Sequence, residues 1–436
     1  MAVHDNPQPR FPEIVSGHHF PEFPADAYIG VGADFAELFA RNYETPKEFF
    51  YFDFLILMAN SLSGIVRADF GDLRTHTRLY GLKIGPSGTS KKSTSFDLAE
   101  SFVKDAWSTA LSSEEDLKED EIWGGNEDRS RRAFKILAGI GSAEGVLEPL
   151  NDSRVLVYFD EFDRFIRKAK VDGSVIGTAF NELFERTCYA NYTKDRQTAV
   201  ENGHLGLLAN IPLEQFESMA GSGRLVDLGL WNRLAYVVGD RRQICNLPTA
   251  VSPKALQELE IVLARYLIDL CERTEKKDEK QAAPAKELWP RKKEQRLQLT
   301  EEARREWARF PELIRTEEST TRLDTIGMRL MAVMAVTSGK KEIDLDVVRA
   351  TLAFLHYQKV VRETYRPSQA ETIDARIEES VLRQLRRCGP LKKRDLRRYT
   401  NADRYGTEKY ERVLSALKGD QQIELREGTY ALKNAT

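Results

Sequence analysis

Leu79-Tyr-Gly-Leu-Lys-Ile-Gly-Pro-Ser-Gly-Thr-Ser-Lys-Lys-Ser-Thr94 decides the fold. It reads as a strand over 77–84, a glycine-containing loop, and a helix that starts near Lys92 and runs on over 93–107. Strand, loop and helix in that order make an anion site. Glycines let backbone N–H groups curl around a charge, and the helix N-terminus adds the positive end of its dipole. In such a loop a lysine meets the β- and γ-phosphates and a hydroxyl meets Mg²⁺.

The pattern G-x-x-x-x-G-K-[ST] fits in two registers. Counted from Gly85, Ser90 takes the last glycine position, Lys91 the lysine and Lys92 the hydroxyl position. Moved by one, Lys92-Ser93 becomes the functional pair, and Pro86 and Lys91 stand where glycines belong. The second register is favoured, because magnesium needs a hydroxyl directly after the lysine. The expected nucleotide-binding set is therefore Gly85, Pro86, Ser87, Gly88, Thr89, Ser90, Lys91, Lys92, Ser93 and Thr94, with Ser93 also on the metal.

Arg154-Val-Leu-Val-Tyr-Phe-Asp-Glu-Phe-Asp163 supplies the second half of the signal. Its apolar run reads as a fully buried parallel strand ending in two carboxylates. Open α/β sheets bind ligands at the carboxyl ends of their strands. Asp160 there is suited to the Mg²⁺ shell, and Glu161 to polarising a water for attack on a γ-phosphate.

A chain of 436 residues has room for two or three domains. With 41% hydrophobic and 31% charged residues the balance is that of a globular protein. The formal net charge of -3 predicts no polyanion-binding surface over the whole chain, so any such contact must come from local patches. Cys188, Cys245, Cys271 and Cys388 lie far apart, which suits neither a disulfide framework nor a zinc site and fits a reducing cytoplasm. The N-terminus is polar and proline-punctuated, without a signal-peptide pattern. The most apolar segment, 49–66, contains Asp53, Asn60 and Ser61 and reads as a buried helix, with no membrane expected.

Taken in order, the chain divides into an N-terminal arm (1–45), an α/β core (46–273), a charged linker (274–296), a helical section (297–366) and a C-terminal domain (367–436). Within the core, 188–192 and 204–210 are expected to pair as a hairpin around the polar turn 193–203, and 205–210 and 234–238 read as further buried strands. In the C-terminal domain, helices over 370–387, 391–399 and 407–417 precede two short alternating runs around Glu427-Gly428, a hairpin signal. Three helices and a hairpin make a winged-helix pattern. Residues 366–436 hold 16 Lys+Arg against 11 Asp+Glu, a net of +5. Lys392, Lys393, Arg394, Arg397 and Arg398 form a cluster suited to phosphate contact, although winged helices also dock proteins.

Taken together, these motifs resemble the AAA+ ATPase/helicase domains of phages, plasmids and other mobile elements and, more distantly, the minichromosome-maintenance replicative helicases. The resemblance covers roughly 46–357, with a winged helix in the place where the latter carry one. It implies an α/β fold: a P-loop AAA+ core with a parallel sheet, a helical lid and a C-terminal winged-helix domain. It implies Arg233, in Gly229-Leu-Trp-Asn-Arg-Leu-Ala-Tyr-Val-Val-Gly-Asp240, as the arginine finger. Asn210 becomes the polar sensor at a strand end, Arg329 the arginine of the lid, and Lys194 and Arg196 the basic hairpin turn that reaches DNA. The activity implied is that of an ATP- and Mg²⁺-dependent DNA motor, a homo-oligomeric ring of hexamer type serving replication of a mobile element. Two other readings stay open: an ATPase switch or loader that regulates a partner, and a degenerate nucleotide-binding scaffold. The sequence departs from the family at Ser90 and Lys91, and it lacks a zinc module and a primase domain.

Overall fold

The computed structural model describes residues 20–73, 75–112, 130, 133–139, 142–171, 174–192, 197–241, 243, 249–275, 294–310, 321–365, 373–400, 402–426 and 428–433. The fold is α/β, built on a five-stranded parallel sheet.

Helix α1 (Gly30–Ala40) leads into α2 (Lys47–Ser61), which starts after Pro46, a residue pre-set for a helix start. Every residue of α2 after Lys47 is buried, as expected of a helix apolar on all sides. Short strand β1 (Val66–Ala68) and β2 (Tyr80–Gly85), an interior strand of the sheet, follow. Next come α3 (Lys92–Leu111), β3 (Lys135–Ala138), α4 (Glu144–Leu150), β4 (Arg154–Phe159), α5 (Phe162–Ala169) and α6 (Ile176–Glu185). Beyond them lie β5 (Tyr189–Tyr192), β6 (Gln197–Val200), β7 (His204–Pro212), α7 (Leu213–Gly221), α8 (Arg224–Asp227) and β8 (Leu234–Val238).

The sheet order is β3-β4-β7-β2-β8. Successive residues of β2 point to opposite faces. Tyr80 faces α6, donating its hydroxyl to the Phe180 carbonyl at 2.8 Å. Gly81 and Lys83 face α2, which lies so close that a Cβ on Gly81 would meet Phe52 at 2.8 Å. Helices therefore cover both faces, and the core lies between these layers. Each large apolar side chain buried there stabilises the fold by about 1.5–3 kcal/mol.

The expected pairing of 188–192 with 204–210 is corrected. β5 pairs antiparallel with β6, while β7 enters the parallel sheet between β4 and β2. Gln197–Val200, hidden inside a stretch read as a polar turn, supplies the partner strand.

Downstream, α9 (Pro253–Glu275) packs on α3, and β9 (Gln295–Leu297) pairs in parallel with β1. Then come α10 (Glu301–Ala308), α11 (Leu323–Thr337) and α12 (Leu345–Tyr365). The helices read as a lid share the main core instead of standing apart. Edge strand β8 shows why. Gln358 of α12 accepts from Tyr236 N and donates to Tyr236 O, both at 2.7 Å, and Val238 N donates to the Tyr357 hydroxyl at 2.9 Å. A helix thereby satisfies an edge that would otherwise offer open pairing groups. Residues 20–45, read as an arm, also join this core: Phe23 packs its ring against Tyr28, Tyr51 and Tyr357.

The C-terminal unit comprises α13 (Ile373–Cys388), β10 (Leu391–Lys392), α14 (Lys393–Tyr399), α15 (Thr407–Gly419), β11 (Ile423–Arg426) and β12 (Thr429–Leu432). Its antiparallel sheet runs β10-β12-β11 over a separate core that includes Ile377, Leu396, Tyr410, Leu414 and Tyr430. Leu391 and Lys392, expected to open a helix, form the third strand instead. Among the described residues no helix is long and apolar enough to cross a membrane.

Candidate functional site

The strand order creates a crevice between β2 and β7. After β2 the chain crosses toward β3 on one side, and after β7 it crosses toward β8 on the other, so the loops at their carboxyl ends diverge. Ligands of open α/β sheets bind at such a switch point.

The loop of 86–91 occupies this position. Gly85 is required there: a Cβ would lie 2.4 Å from the Gly239 carbonyl oxygen and 2.9 Å from Ser90 Oγ. Ser90 Oγ donates to Pro86 O at 2.8 Å, and Thr89 Oγ1 donates to Asp240 Oδ1 at 3.2 Å, tying the loop tip to the end of β8. Lys91 has φ 44° and ψ 45°, the left-handed conformation a glycine adopts freely, and its side chain is exposed. Lys92 opens α3, and its Nζ turns back into the loop, donating to Gly85 O at 2.9 Å, Pro86 O at 3.1 Å and Ser90 Oγ at 3.1 Å. Burial, reinforced by the nearby charge of Lys83, pushes the Lys92 ammonium down to about 8. Of the two registers, the structure sets Lys92 inside the loop and Lys91 outside it. Ser93 and Thr94 follow in the first turn of α3, half-buried.

β4 and β7 bring the second group to the same edge. Asn210 Nδ2 donates to the Tyr158 hydroxyl at 2.7 Å and to Asp160 Oδ1 at 2.8 Å. Asn210 is buried, and its Oδ1 has no hydrogen-bond partner among the described residues. The Tyr158 ring stacks on Phe96 of α3 at 3.8 Å, locking strand to helix. Asp160 is exposed at the strand end. Glu161, also exposed, forms a 2.8 Å ion pair with Arg164.

Beneath the loop lies a pair that the sequence reading missed. Lys83 Nζ is 2.6 Å from Asp53 Oδ2, both side chains fully buried, and it donates also to Lys92 O at 2.6 Å and Ser95 Oγ at 3.1 Å. Burial pushes the Asp53 carboxyl up to about 6, with Lys83 pulling the other way. The available signal was a charge inside each of two apolar stretches, 49–66 and 79–84.

Arg233 and Arg329 lie at the opposite, amino-terminal edge of the sheet. Arg329 donates to Arg78 O at 3.1 Å and Phe184 O at 2.7 Å, with its guanidinium 4.0 Å from the centre of the Phe184 ring. Arg78 precedes β2, so this edge is about 20 Å from the loop at roughly 3.3 Å per residue. Arg329, expected as the arginine of the lid, has its guanidinium buried against these backbone carbonyls. Arg233 donates to Gly229 O at 2.5 Å and lies 4.0 Å from Glu185, which also pairs with Arg322.

Lys194 and Arg196 lie outside the described residues. In the C-terminal unit, Lys393 pairs with Glu411 at 2.8 Å, and Arg397 with Asp403 at 2.8 Å and Glu411 at 3.5 Å. Lys392, Arg394 and Arg398 are exposed, with Arg398 donating to the Tyr399 hydroxyl at 3.2 Å.

No family model matches the chain, and no curated protein matches it.

Proposed function

We propose that this chain is an ATP-hydrolysing motor of the AAA+ type that assembles as a ring and acts on DNA through a C-terminal winged helix. The observation that carries the reading is Lys92, folded into a tight loop at the switch point of a parallel sheet, at the same carboxyl edge as the Asp160–Asn210 pair. The donor set fits a magnesium nucleotide. Backbone N–H groups of 87–91, the Lys92 ammonium and the N-terminus of α3 would hold the phosphates, and Ser93 and Asp160 would hold Mg²⁺. Bound ATP supplies the phosphoryl group whose transfer to water releases free energy. Lys92 exchanges its three oxygen acceptors in the loop for phosphate oxygens. Glu161 accepts the proton of the attacking water, and Asn210 fixes Asp160 through its amide N–H. Arg233, at the far edge, serves a neighbouring copy.

The pairing of Lys393 and Arg397 with acids favours a second reading, an ATPase switch whose C-terminal unit docks a protein. Hydrolysis assays with and without single-stranded DNA separate the two. Turnover that rises with DNA and vanishes in Lys92→Ala supports the motor. Turnover indifferent to DNA supports the switch. Absence of both binding and turnover sinks both.

A further inference from the structure

Two lysines straddle the start of α3. Lys92 reaches up into the loop, and Lys83 reaches the same turn from the strand beneath. Lys83 Nζ has three oxygen partners, Asp53 Oδ2 and Lys92 O at 2.6 Å and Ser95 Oγ at 3.1 Å. Ser95 Oγ in turn donates to Lys92 O at 2.9 Å. The carbonyl of the loop lysine is thus clamped twice, by Lys83 from the strand beneath and by Ser95 from its own helix. A buried ion pair contributes little net stability compared with apolar residues of similar volume. Its placement against the single residue best suited to phosphate calls for another account.

We propose that Lys83, anchored by Asp53, is a positioning residue for nucleotide binding: it pins the first turn of α3 from beneath. The inference rests on the phosphate-loop reading above. Pinning keeps the N–H groups of the first turn aimed at the crevice.

The test is MgATP affinity of the full chain at neutral pH, measured with a fluorescent ATP analogue, beside denaturant unfolding of the same variants. Lys83→Met is expected to bind about tenfold more weakly, the scale of one missing charged hydrogen bond. The double variant Lys83→Met/Asp53→Leu removes the orphaned carboxyl and is expected to recover most of the lost stability while the loss of affinity remains, because the pin beneath α3 is still absent. Affinity that recovers together with stability would make Lys83 a merely structural residue and overturn the proposal. Wild-type binding that Lys92→Ala abolishes, with both Lys83 variants binding as wild type, overturns this inference alone. Failure of the wild type to bind MgATP overturns the phosphate-loop reading and this inference with it.

Discussion

Lys83 Nζ and Asp53 Oδ2 sit 2.6 Å apart with neither side chain exposed to solvent. Each interrupts an otherwise apolar element, and each is tolerated only because of the other. Removing one partner leaves an uncompensated buried charge, which costs about 3–5 kcal/mol. Asp53→Ala is therefore expected to lower the unfolding free energy by about that amount, while the apolar double replacement of both residues costs far less. Denaturant unfolding of the two variants checks this. Equal losses would mean that the pair is not coupled.

Lys91 and Lys92 differ in conformation more than in chemistry. Lys92→Ala removes the ammonium that turns into the loop and is expected to abolish nucleotide binding, while Lys91→Ala weakens it mildly. Lys91→Gly is expected to stabilise the fold by up to about 1 kcal/mol, since a left-handed φ costs a side-chain-bearing residue about that much. Nucleotide titration and thermal unfolding read the two effects. A dead Lys91→Ala with an active Lys92→Ala would reverse the register.

Glu161 and Asn210 divide the carboxyl edge between them. Glu161→Gln is expected to keep ATP bound but unhydrolysed, because an amide takes no proton from water. Asn210→Ala leaves Asp160 held by the 3.3 Å hydrogen bond from the Tyr158 hydroxyl without the shorter one from Asn210, and is expected to slow turnover more than it weakens binding. Single-turnover hydrolysis beside equilibrium binding separates the steps. Full turnover by Glu161→Gln removes it from the base role.

His204 predicts acid sensitivity. Burial, with the charges of Arg78, Arg154 and His76, holds its imidazole well below the ordinary 6.5. Ser63 Oγ lies 2.8 Å from its Nδ1. The folded chain then binds fewer protons at this site than the unfolded chain, so its contribution is complete above pH 6.5 and is lost as pH falls below it. His204→Gln is expected to be less stable at neutral pH and to lose less on acidification than the wild type. Parallel slopes for the two proteins would assign the acid sensitivity elsewhere.

Much of this architecture was legible because the strongest signals are local. The apolar run ending at Phe159 and the glycine at 85 placed two strands and the loop. The three C-terminal helices were readable from amphipathic spacing. The failures share a cause: a partner distant in sequence decided the outcome. Gln197–Val200 is polar enough to pass for a turn and becomes a strand only beside β5. The lid section looked separate until Gln358 and Tyr357 met the edge of β8. No sequence pattern announces that the carbonyls of Arg78 and Phe184 accept from Arg329.

The cations of the C-terminal unit divide into two groups. Lys393 and Arg397 are neutralised by Glu411 and Asp403, while Lys392, Arg394 and Arg398 have no such acid partner among the described residues. If the unit meets DNA, the triple replacement of the second group by alanine flattens the log-log salt dependence of binding by up to about 3, one for each phosphate no longer neutralised. Lys393→Ala alone changes it little. An unchanged slope in the triple variant would favour protein docking.

Arg233 starts at the far edge of the sheet from its own loop. Its guanidinium rests on Gly229 O and near Glu185, a short hold that a stronger anion can displace. From there it cannot reach Lys92 of its own chain, so any catalytic role requires a second copy. Arg233→Ala is expected to retain ATP binding and lose hydrolysis by orders of magnitude, because a finger acts mainly on the transition state. Arg233→Ala subunits keep their own loop, and Lys92→Ala subunits keep their own finger. Mixed, they are expected to regain part of the activity at interfaces where a sound loop meets a sound arginine. Full turnover by Arg233→Ala alone, or mixtures that stay inactive while both variants assemble, would end the shared-site account and leave Arg233 a bracing residue at the sheet edge.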